Sequence, residues 1–200
     1  MELILVRCGK TQAPPGTLRG QAQLALAATG FADLQQLASS WIGPPPRFLF
    51  SSDLRRSRES VQVFAAALGM EPLIDARLRE LDLGLWNGAN FAKISVQETQ
   101  AWQRWNADCS EYAPPEGELW GALLERTRSW LDGLRQLQSE QRVLAIVHEG
   151  SLRAILAHIL DLPLAKTRTL RIMPAHASAL RLQPDGDEVS YLNSPQFLVL

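Results

Sequence analysis

Short apolar runs alternate along the chain with segments in which apolar residues recur at helical spacing. The strand-like runs are residues 3–6, 48–50 and 143–147. The run 143–147 is apolar throughout, as a strand buried on both faces should be. Helical periodicity follows each run, over Thr29–Ile42, over about 54–69 and from Gly150 through Ile159. This alternation predicts an α/β fold, a three-layer sandwich with a mostly parallel sheet flanked by helices.

Prolines and glycines mark where these elements should end. Three consecutive prolines, residues 44–46, are expected to stop the first helix, and Gly69 is expected to end the second. Near the end of the chain, Ala179–Gln183 and Glu188–Leu192 flank the turn sequence Pro-Asp-Gly-Asp. This arrangement predicts a hairpin.

The segment from about residue 85 to residue 119 fits the alternation poorly. It is rich in tryptophan, and a Pro-Pro-Glu-Gly break interrupts it at 114–117. The aromatic residues in or directly beside it are Trp86, Trp102, Trp105 and Trp120. We interpret residues 1–200 as one domain in which 85–119 is a helical cap insertion at one end of the sheet. The tryptophans are expected to serve as core or cap material, and one of them to line a substrate cleft.

Composition and charge indicate a protein with one core, a cytoplasmic location and no nucleic-acid partner. The chain has 200 residues, 46% of them apolar, which suffices for one sizeable core. The formal net charge of −1 and the mixed signs along the chain predict no nucleic-acid partner. The N-terminus does not resemble a signal peptide, and no stretch is apolar enough to span a membrane, so a cytoplasmic location is expected. The two cysteines, Cys8 and Cys109, show no disulfide framework and fit a reducing compartment.

Polar residues follow each of the three strand-like runs. Arg7 and Cys8 follow the first, a Ser-Ser-Asp sequence ahead of Arg56 follows the second, and His148 follows the third. Because ligands bind outside the carboxyl ends of strands in open α/β sheets, these side chains are expected to meet at one edge. Two arginines, a histidine and a cysteine at one place indicate an anion-binding site.

Three arginines fall in the first turns of the second predicted helix. Cations are disfavoured there by the helix dipole, by roughly 0.3–1 kcal/mol each. Arg55 and Arg58 are interpreted as part of a solvated charged face. Arg56 is interpreted as an anion ligand, because an anion at the helix start would interact favourably with both the dipole and the guanidinium.

Five segments together resemble the histidine phosphatase (phosphoglycerate-mutase-like) superfamily, over roughly residues 3–156. Residues 5–11, Leu-Val-Arg-Cys-Gly-Lys-Thr, resemble its Leu-Val-Arg-His-Gly-Glu-Thr signature, and 51–57 resemble its Ser-Ser-Asp-Leu-x-Arg-Ala segment. Residues 78–88 are similar to Leu-x-Glu-x-x-x-Gly-x-Trp-Glu-Gly, and 147–153 to Val-x-His-x-Gly-x-x-Arg. Glu-Gly-Glu at 116–118 lies where the family has Gly-Gly-Glu-Ser. The chain length looks most like small members such as α-ribazole phosphatases and broad-range phosphatases.

The resemblance implies phosphomonoester hydrolysis by two-step phosphoryl transfer without a cofactor or a metal. It places the nucleophile position at Cys8, the proton donor at Glu80 and the second catalytic histidine at His148. The phosphate-binding residues are then Arg7, Arg56, His148 and Thr11, which stabilise the phosphoryl oxygens. The implied partners are a small phosphorylated metabolite, with α-ribazole phosphate as one candidate, and inorganic phosphate.

The residue at the nucleophile position departs from the family, which has histidine there. Arg7, Arg56 and a helix N-terminus are expected to lower the pKa of the Cys8 thiol. A thiol is nevertheless much shorter than an imidazole, and a misplaced nucleophile costs about 100-fold in rate. The Cys-x5-Arg loop of thiol phosphatases is absent, because Pro14 stands where its arginine would be.

Three interpretations of Cys8 remain open. The chain is an inactive or very slow phosphate-ester binder, or Cys8 works as a phosphocysteine nucleophile, or weak turnover proceeds through water or His148. A mutase-like phosphotransferase is a further alternative to hydrolysis.

Other departures and candidates are smaller. Lys10 and Asn87 replace glutamates of the motifs, and Leu119 replaces a serine. His176 is a candidate for bordering the pocket. His158 and Cys109 are expected to be packed or surface residues.

Overall fold

A six-stranded sheet forms the centre of the protein, in the order β3-β2-β4-β1-β5-β6. The computed structural model describes residues 1–137 and 141–198. The strands are β1 (Glu2–Arg7), β2 (Phe48–Ser51), β3 (Leu73–Ile74), β4 (Arg142–Val147), β5 (Ala177–Arg181) and β6 (Glu188–Ser194). The first four are mutually parallel, β5 runs antiparallel to β1, and β6 runs antiparallel to β5. The prediction of a mostly parallel sheet in an α/β fold is confirmed.

Helices cover both faces of this sheet. The helices are α1 (Ala28–Ser39), α2 (Arg55–Leu68), α3 (Phe91–Gln97), α4 (Thr99–Ala107), α5 (Trp120–Arg135), α6 (Glu149–Ile159) and α7 (Leu164–Thr167). Alternate β1 residues point to opposite faces: Ile4 packs in one core with α1 and α2, and Leu5 in a second core with α5 and α6. The three layers therefore follow from the period-2 geometry of a strand buried on both sides.

Several element boundaries differ from the prediction. The first helix ends at Ser39 and not at Ile42, because the Ser40 backbone N–H and hydroxyl both donate to the Leu37 carbonyl and tighten its last turn. The fifth strand covers Ala177–Arg181 and not 179–183, because its antiparallel pairing with β1 sets its ends, Arg181 lying opposite Glu2.

The segment 85–119 contains α3 and α4 and contributes to a third apolar cluster. Trp86 is fully buried there, and its indole N–H donates to the Glu98 carboxylate at 2.9 Å. Trp102 and Trp105 pack against it at ring-centroid distances of 5.8 and 5.9 Å. These tryptophans therefore form aromatic core, as predicted for the segment. No helix within the described residues is long and apolar enough to cross a membrane.

Candidate functional site

A cavity of about 580 Å³ opens where β1 and β4 end and α2 and α6 begin. Every site residue predicted from the sequence lines it, namely Arg7, Cys8, Thr11, Arg56, Glu80 and His148. They come from four separate segments, which meet because parallel strands deliver their carboxyl ends to one edge of the sheet.

The pairing of β1 with β4 brings Cys8 next to His148. The Cys8 backbone N–H donates to the Val147 carbonyl at 2.9 Å, one residue before the histidine. The thiol sulfur then lies 3.6 Å from Nδ1 of the imidazole. Gly9 is required at the next position, because a Cβ there would approach a Leu34 methyl carbon to 2.8 Å and the Gly30 carbonyl oxygen to 2.9 Å. Residue 8 is therefore held at the floor of the cavity by close backbone packing.

The His148 imidazole is buried and neutral. Its Nε2 is 2.7 Å from the Ser52 hydroxyl, at the end of β2. Burial, together with the positive charges of Arg56, Arg126 and Arg7, holds the pKa of His148 well below its usual 6.5. A neutral imidazole donates a hydrogen bond from one ring nitrogen and accepts at the other.

The Cys8 thiol is protonated at neutral pH. Burial raises its pKa above the usual 9.0, and this outweighs the lowering by Arg56 and Arg7. Glu80 contributes in the same direction as burial. The expectation that the arginines would give this thiol a lowered pKa was wrong, because desolvation of a 6% exposed sulfur dominates its electrostatics.

Arg56 is held rigidly in the wall of the cavity. Its side chain is 2% exposed, and its two terminal nitrogens donate to the Ala22 carbonyl at 3.0 Å and the Gly20 carbonyl at 2.6 Å. These acceptors are uncharged, so the guanidinium keeps its full positive charge for an anion in the cavity. By contrast, Arg58 is exposed and Arg55 pairs with Glu59 on the surface of α2, as predicted.

Arg7 has a carboxylate partner that sequence reasoning missed. Glu149, the first residue of α6, contacts Arg7 at 2.7 Å and Arg153 at 2.8 Å. Arg7 also donates to the Ile172 carbonyl at 2.5 Å. Glu149 directly follows His148 in the fourth motif segment, residues 147–153. This position was the only sequence feature that could have indicated a role at the site. The Glu149 carboxylate neutralises part of the positive charge of Arg7 and fixes the orientation of the Arg7 guanidinium.

Glu80 reaches the cavity through a hydrogen-bonded turn. Its carboxylate accepts from the Leu81 N–H at 2.8 Å and the Gly150 N–H at 3.1 Å, at the start of α6. Glycine is required at position 150, because a Cβ there would lie 2.0 Å from the Glu80 carboxylate.

Arg126 of α5 supports the Glu80 segment from behind. It donates to the carbonyls of Arg79 and Glu80 at 2.6 and 2.9 Å, and to the Glu118 carboxylate at 2.7 Å. Nothing in the sequence marked Arg126, because its partners at 79 and 80 are far away along the chain.

The remaining departures from the motifs are Asn87, Lys10 and Leu119. Asn87 accepts from the Gln21 and Leu83 N–H groups at 2.9 and 3.1 Å and donates to the Asp82 carboxylate at 2.6 Å. A glutamate could not make that donation. Lys10 pairs with Asp33 at 2.9 Å. Leu119 stands at the N-cap of α5 without a capping side chain.

The other candidate residues lie outside the cavity lining. His176 contacts the Pro174 carbonyl through Nδ1 at 3.0 Å. Cys109 is buried and accepts from Arg168 at 3.0 Å. Among residues 1–137 and 141–198, no cluster of three or more histidine, cysteine or acidic side chains is arranged to hold a metal ion.

Comparison with known proteins matches nearly the whole chain to one family. The sequence profile of the histidine phosphatase superfamily (branch 1) matches residues 3–195. A protein of Shigella dysenteriae serotype 1 named probable phosphoglycerate mutase is 30% identical, over 98% of this chain and 96% of its own length.

Two solved structures are similar along the whole fold. The α-ribazole phosphatase of Shigella flexneri has a TM-score of 0.92 at 23% identity and covers 100% of both chains. A mycobacterial glucosyl-3-phosphoglycerate phosphatase in complex with inorganic phosphate has a TM-score of 0.82 at 25% identity, over 97% of this chain and 98% of that chain.

Proposed function

Since the chain belongs to the histidine phosphatase superfamily, we propose that it binds small phosphomonoesters and hydrolyses them slowly, with Cys8 limiting the rate. The observation that carries this proposal is the convergence of Arg7, Arg56, Glu80 and His148 on one cavity. Each of these residues stands at a position where the family motifs place a functional group.

The phosphoryl group would lie between the two arginines and the imidazole. Arg56 supplies an uncompensated buried charge, and Arg7 a charge shared with Glu149. His148, being neutral, would donate one hydrogen bond to a phosphoryl oxygen without adding charge. Thr11 lines the same cavity and would bind an outer oxygen. Such preorganised donors stabilise the charge of the transition state without reorganising during the reaction.

Glu80 would protonate the leaving alkoxide. Its carboxyl group accepts from the backbone N–H of Leu81 and from that of Gly150 at the start of α6, beside the cavity. Arg126 holds the Glu80 backbone from the opposite side. A general acid in this setting contributes about 10²–10⁴-fold to the rate.

Cys8 explains why turnover should be slow. Burial keeps the thiol protonated, and the thiolate is the nucleophilic form. The sulfur also sits lower in the cavity than the ring nitrogen of a histidine would. A misplaced nucleophile costs about 100-fold even when the rest of the site is intact.

The substrate is proposed to be a small phosphorylated metabolite, and α-ribazole phosphate is the first to test. The solved structure from Shigella flexneri suggests it by name. We further propose that residues 85–119 act as the cap that encloses the leaving group, because Trp105 of this segment lines the cavity beside Trp120.

Binding without turnover is the second candidate function. The raised pKa of the Cys8 thiol favours it, because a protonated sulfur is a poor nucleophile. The same observation speaks against a mutase-like phosphotransferase, which would have to form and keep a phosphoenzyme.

Phosphate release from p-nitrophenyl phosphate and α-ribazole phosphate, with calorimetry of inorganic phosphate binding, tests the proposal. We expect phosphate binding, together with slow hydrolysis that falls further in Glu80→Gln. Binding with a rate equal to that of Glu80→Gln would support the pseudo-enzyme instead. Absence of both binding and hydrolysis would rule out a phosphoester function.

A further inference from the structure

A carboxylate of the chain itself lies in the wall of the cavity, between two arginines. Glu149, the first residue of α6, lines the cavity together with Arg7 and Arg153. Its two carboxylate oxygens lie 2.7 Å from the Arg7 guanidinium and 2.8 Å from that of Arg153. The Glu149 side chain therefore bridges the two guanidinium groups in the way that a bound anion would.

This contact engages a guanidinium that the proposed function assigns to the phosphoryl group. One terminal nitrogen of Arg7 donates to the Ile172 carbonyl at 2.5 Å, and the other lies against Glu149. Arg56 differs, because its two terminal nitrogens donate to uncharged carbonyls at 3.0 and 2.6 Å. A phosphoryl group that binds Arg7 must therefore share this arginine with a negative charge or displace that charge.

Glu149 keeps other favourable interactions when it moves away from Arg7. Its side chain is 37% exposed, whereas the side chains of Arg7 and Arg153 are 13% and 12% exposed. Arg153 is held in place by the Leu170 carbonyl, which accepts from it at 3.0 Å. A carboxylate at the start of α6 is also stabilised by the helix dipole. The carboxylate can therefore turn from Arg7 towards solvent while it stays paired with Arg153.

We infer that Glu149 competes with the phosphoryl group for Arg7 and thereby sets how tightly the site holds dianionic phosphate. This inference rests on the proposed function, since it assumes that the phosphoryl group binds Arg7. The carboxylate repels an incoming anion and also offsets part of the attraction that Arg7 exerts on it. Glu149 therefore weakens the binding of substrate and of product phosphate, and the product leaves the site more readily.

Calorimetry of inorganic phosphate binding to the unmodified chain and to Glu149→Gln tests this inference independently of turnover. Glutamine has nearly the same shape as glutamate and still accepts a hydrogen bond, but it carries no charge. We expect phosphate to bind about fivefold tighter to Glu149→Gln, the size of one partly exposed ion pair. If Glu149 served only to orient Arg7, the substitution would instead leave phosphate affinity unchanged or lower it.

Two tetrahedral anions of different charge test whether the effect is electrostatic. Sulfate carries two negative charges and methanesulfonate carries one, and both are fully ionised at neutral pH. Because the repulsion by Glu149 scales with the charge of the ligand, the gain in affinity in Glu149→Gln should be larger for sulfate than for methanesulfonate. Equal gains for the two anions would mean that shape and not charge is responsible, and would overturn the inference.

Asp132→Asn is the matched control, because it removes the same charge from an exposed ion pair with Arg128 on α5, outside the cavity lining. Its phosphate affinity should equal that of the unmodified chain. Phosphate binding that is unchanged or weaker in Glu149→Gln, or equally tightened in both variants, would overturn the role of Glu149 and leave the proposed function intact. Failure of phosphate to bind to the unmodified chain and to Glu149→Gln alike would overturn the proposed function itself.

Discussion

The sulfur of Cys8 lies 3.6 Å from Nδ1 of His148, and neither group carries a charge at neutral pH. Burial opposes the charged form of each: it raises the pKa of the thiol and lowers the pKa of the imidazole. The positive charges of Arg7 and Arg56 act oppositely on the two groups, favouring a thiolate and disfavouring an imidazolium. The floor of the cavity is therefore neutral, and the arginines remain available for an anion.

The neutral state of His148 predicts a pH-dependent stability. In the unfolded chain the imidazole binds a proton near pH 6.5, whereas the native state does so only at much lower pH. As the pH falls below 6.5 the unfolded state gains a proton that the native state lacks, so stability decreases. Between pH 7 and pH 5.5 this contributes a loss of about 1 kcal/mol. Urea unfolding at the two pH values should show that loss in the unmodified chain but not in His148→Gln.

His158→Gln is the control for that experiment, because His158 is only partly buried in α6. It should retain the pH dependence of the unmodified chain. An unchanged slope in His148→Gln would mean that the imidazole is not held neutral.

Gly150→Ala should displace the proposed proton donor. An added Cβ would lie 2.0 Å from the Glu80 carboxylate, so the carboxylate must turn away from the leaving group. We expect at least a tenfold lower kcat on p-nitrophenyl phosphate, measured in a Cys8→His background, since an acid contributes about 10²–10⁴-fold. Gly121→Ala is the control, because a Cβ at Gly121 of α5 meets no atom within 4 Å. Equal activity of the two variants would argue against the role of Glu80.

The start of α5 predicts a stabilising substitution. Leu119 occupies the N-cap position with extended backbone angles and supplies no side-chain oxygen to the free N–H groups. Leu119→Ser should raise the free energy of unfolding by about 1 kcal/mol through a capping hydrogen bond. Leu119→Ala removes the same exposed side chain without adding an oxygen, and it should not stabilise. Equal unfolding free energies of the two variants would contradict capping as the cause.

Local sequence patterns predicted much of the fold and the site, because strand ends and motif residues are properties of short segments. Arg7, Cys8, Arg56 and His148 meet as expected, since three parallel strands deliver them to one edge. The pKa of Cys8 was predicted in the wrong direction, because the cost of burial depends on every layer that covers the sulfur.

Contacts between residues that are far apart along the chain could not be predicted from the sequence. Arg126 supports Glu80 from another helix, and the partnership of Glu149 with Arg7 depends on the pairing of β1 with β4.

The central claim is that the pocket is competent and that Cys8 limits the rate. Cys8→Ala separates the thiol from the rest of the site. Because the buried thiol is protonated and a poor nucleophile, we expect this variant to hydrolyse p-nitrophenyl phosphate no more slowly than the unmodified chain. A large loss in Cys8→Ala would instead identify Cys8 as a phosphocysteine nucleophile.

The most direct measurement is the kcat of Cys8→His on p-nitrophenyl phosphate, beside that of the unmodified chain. An imidazole at this position reaches further into the cavity than the thiol and keeps an unprotonated nitrogen available near neutral pH. We expect the rate to rise by about 100-fold or more, because correct placement of a nucleophile is worth at least that factor. A rate that is unchanged or lower in Cys8→His, with phosphate binding intact, would contradict the account.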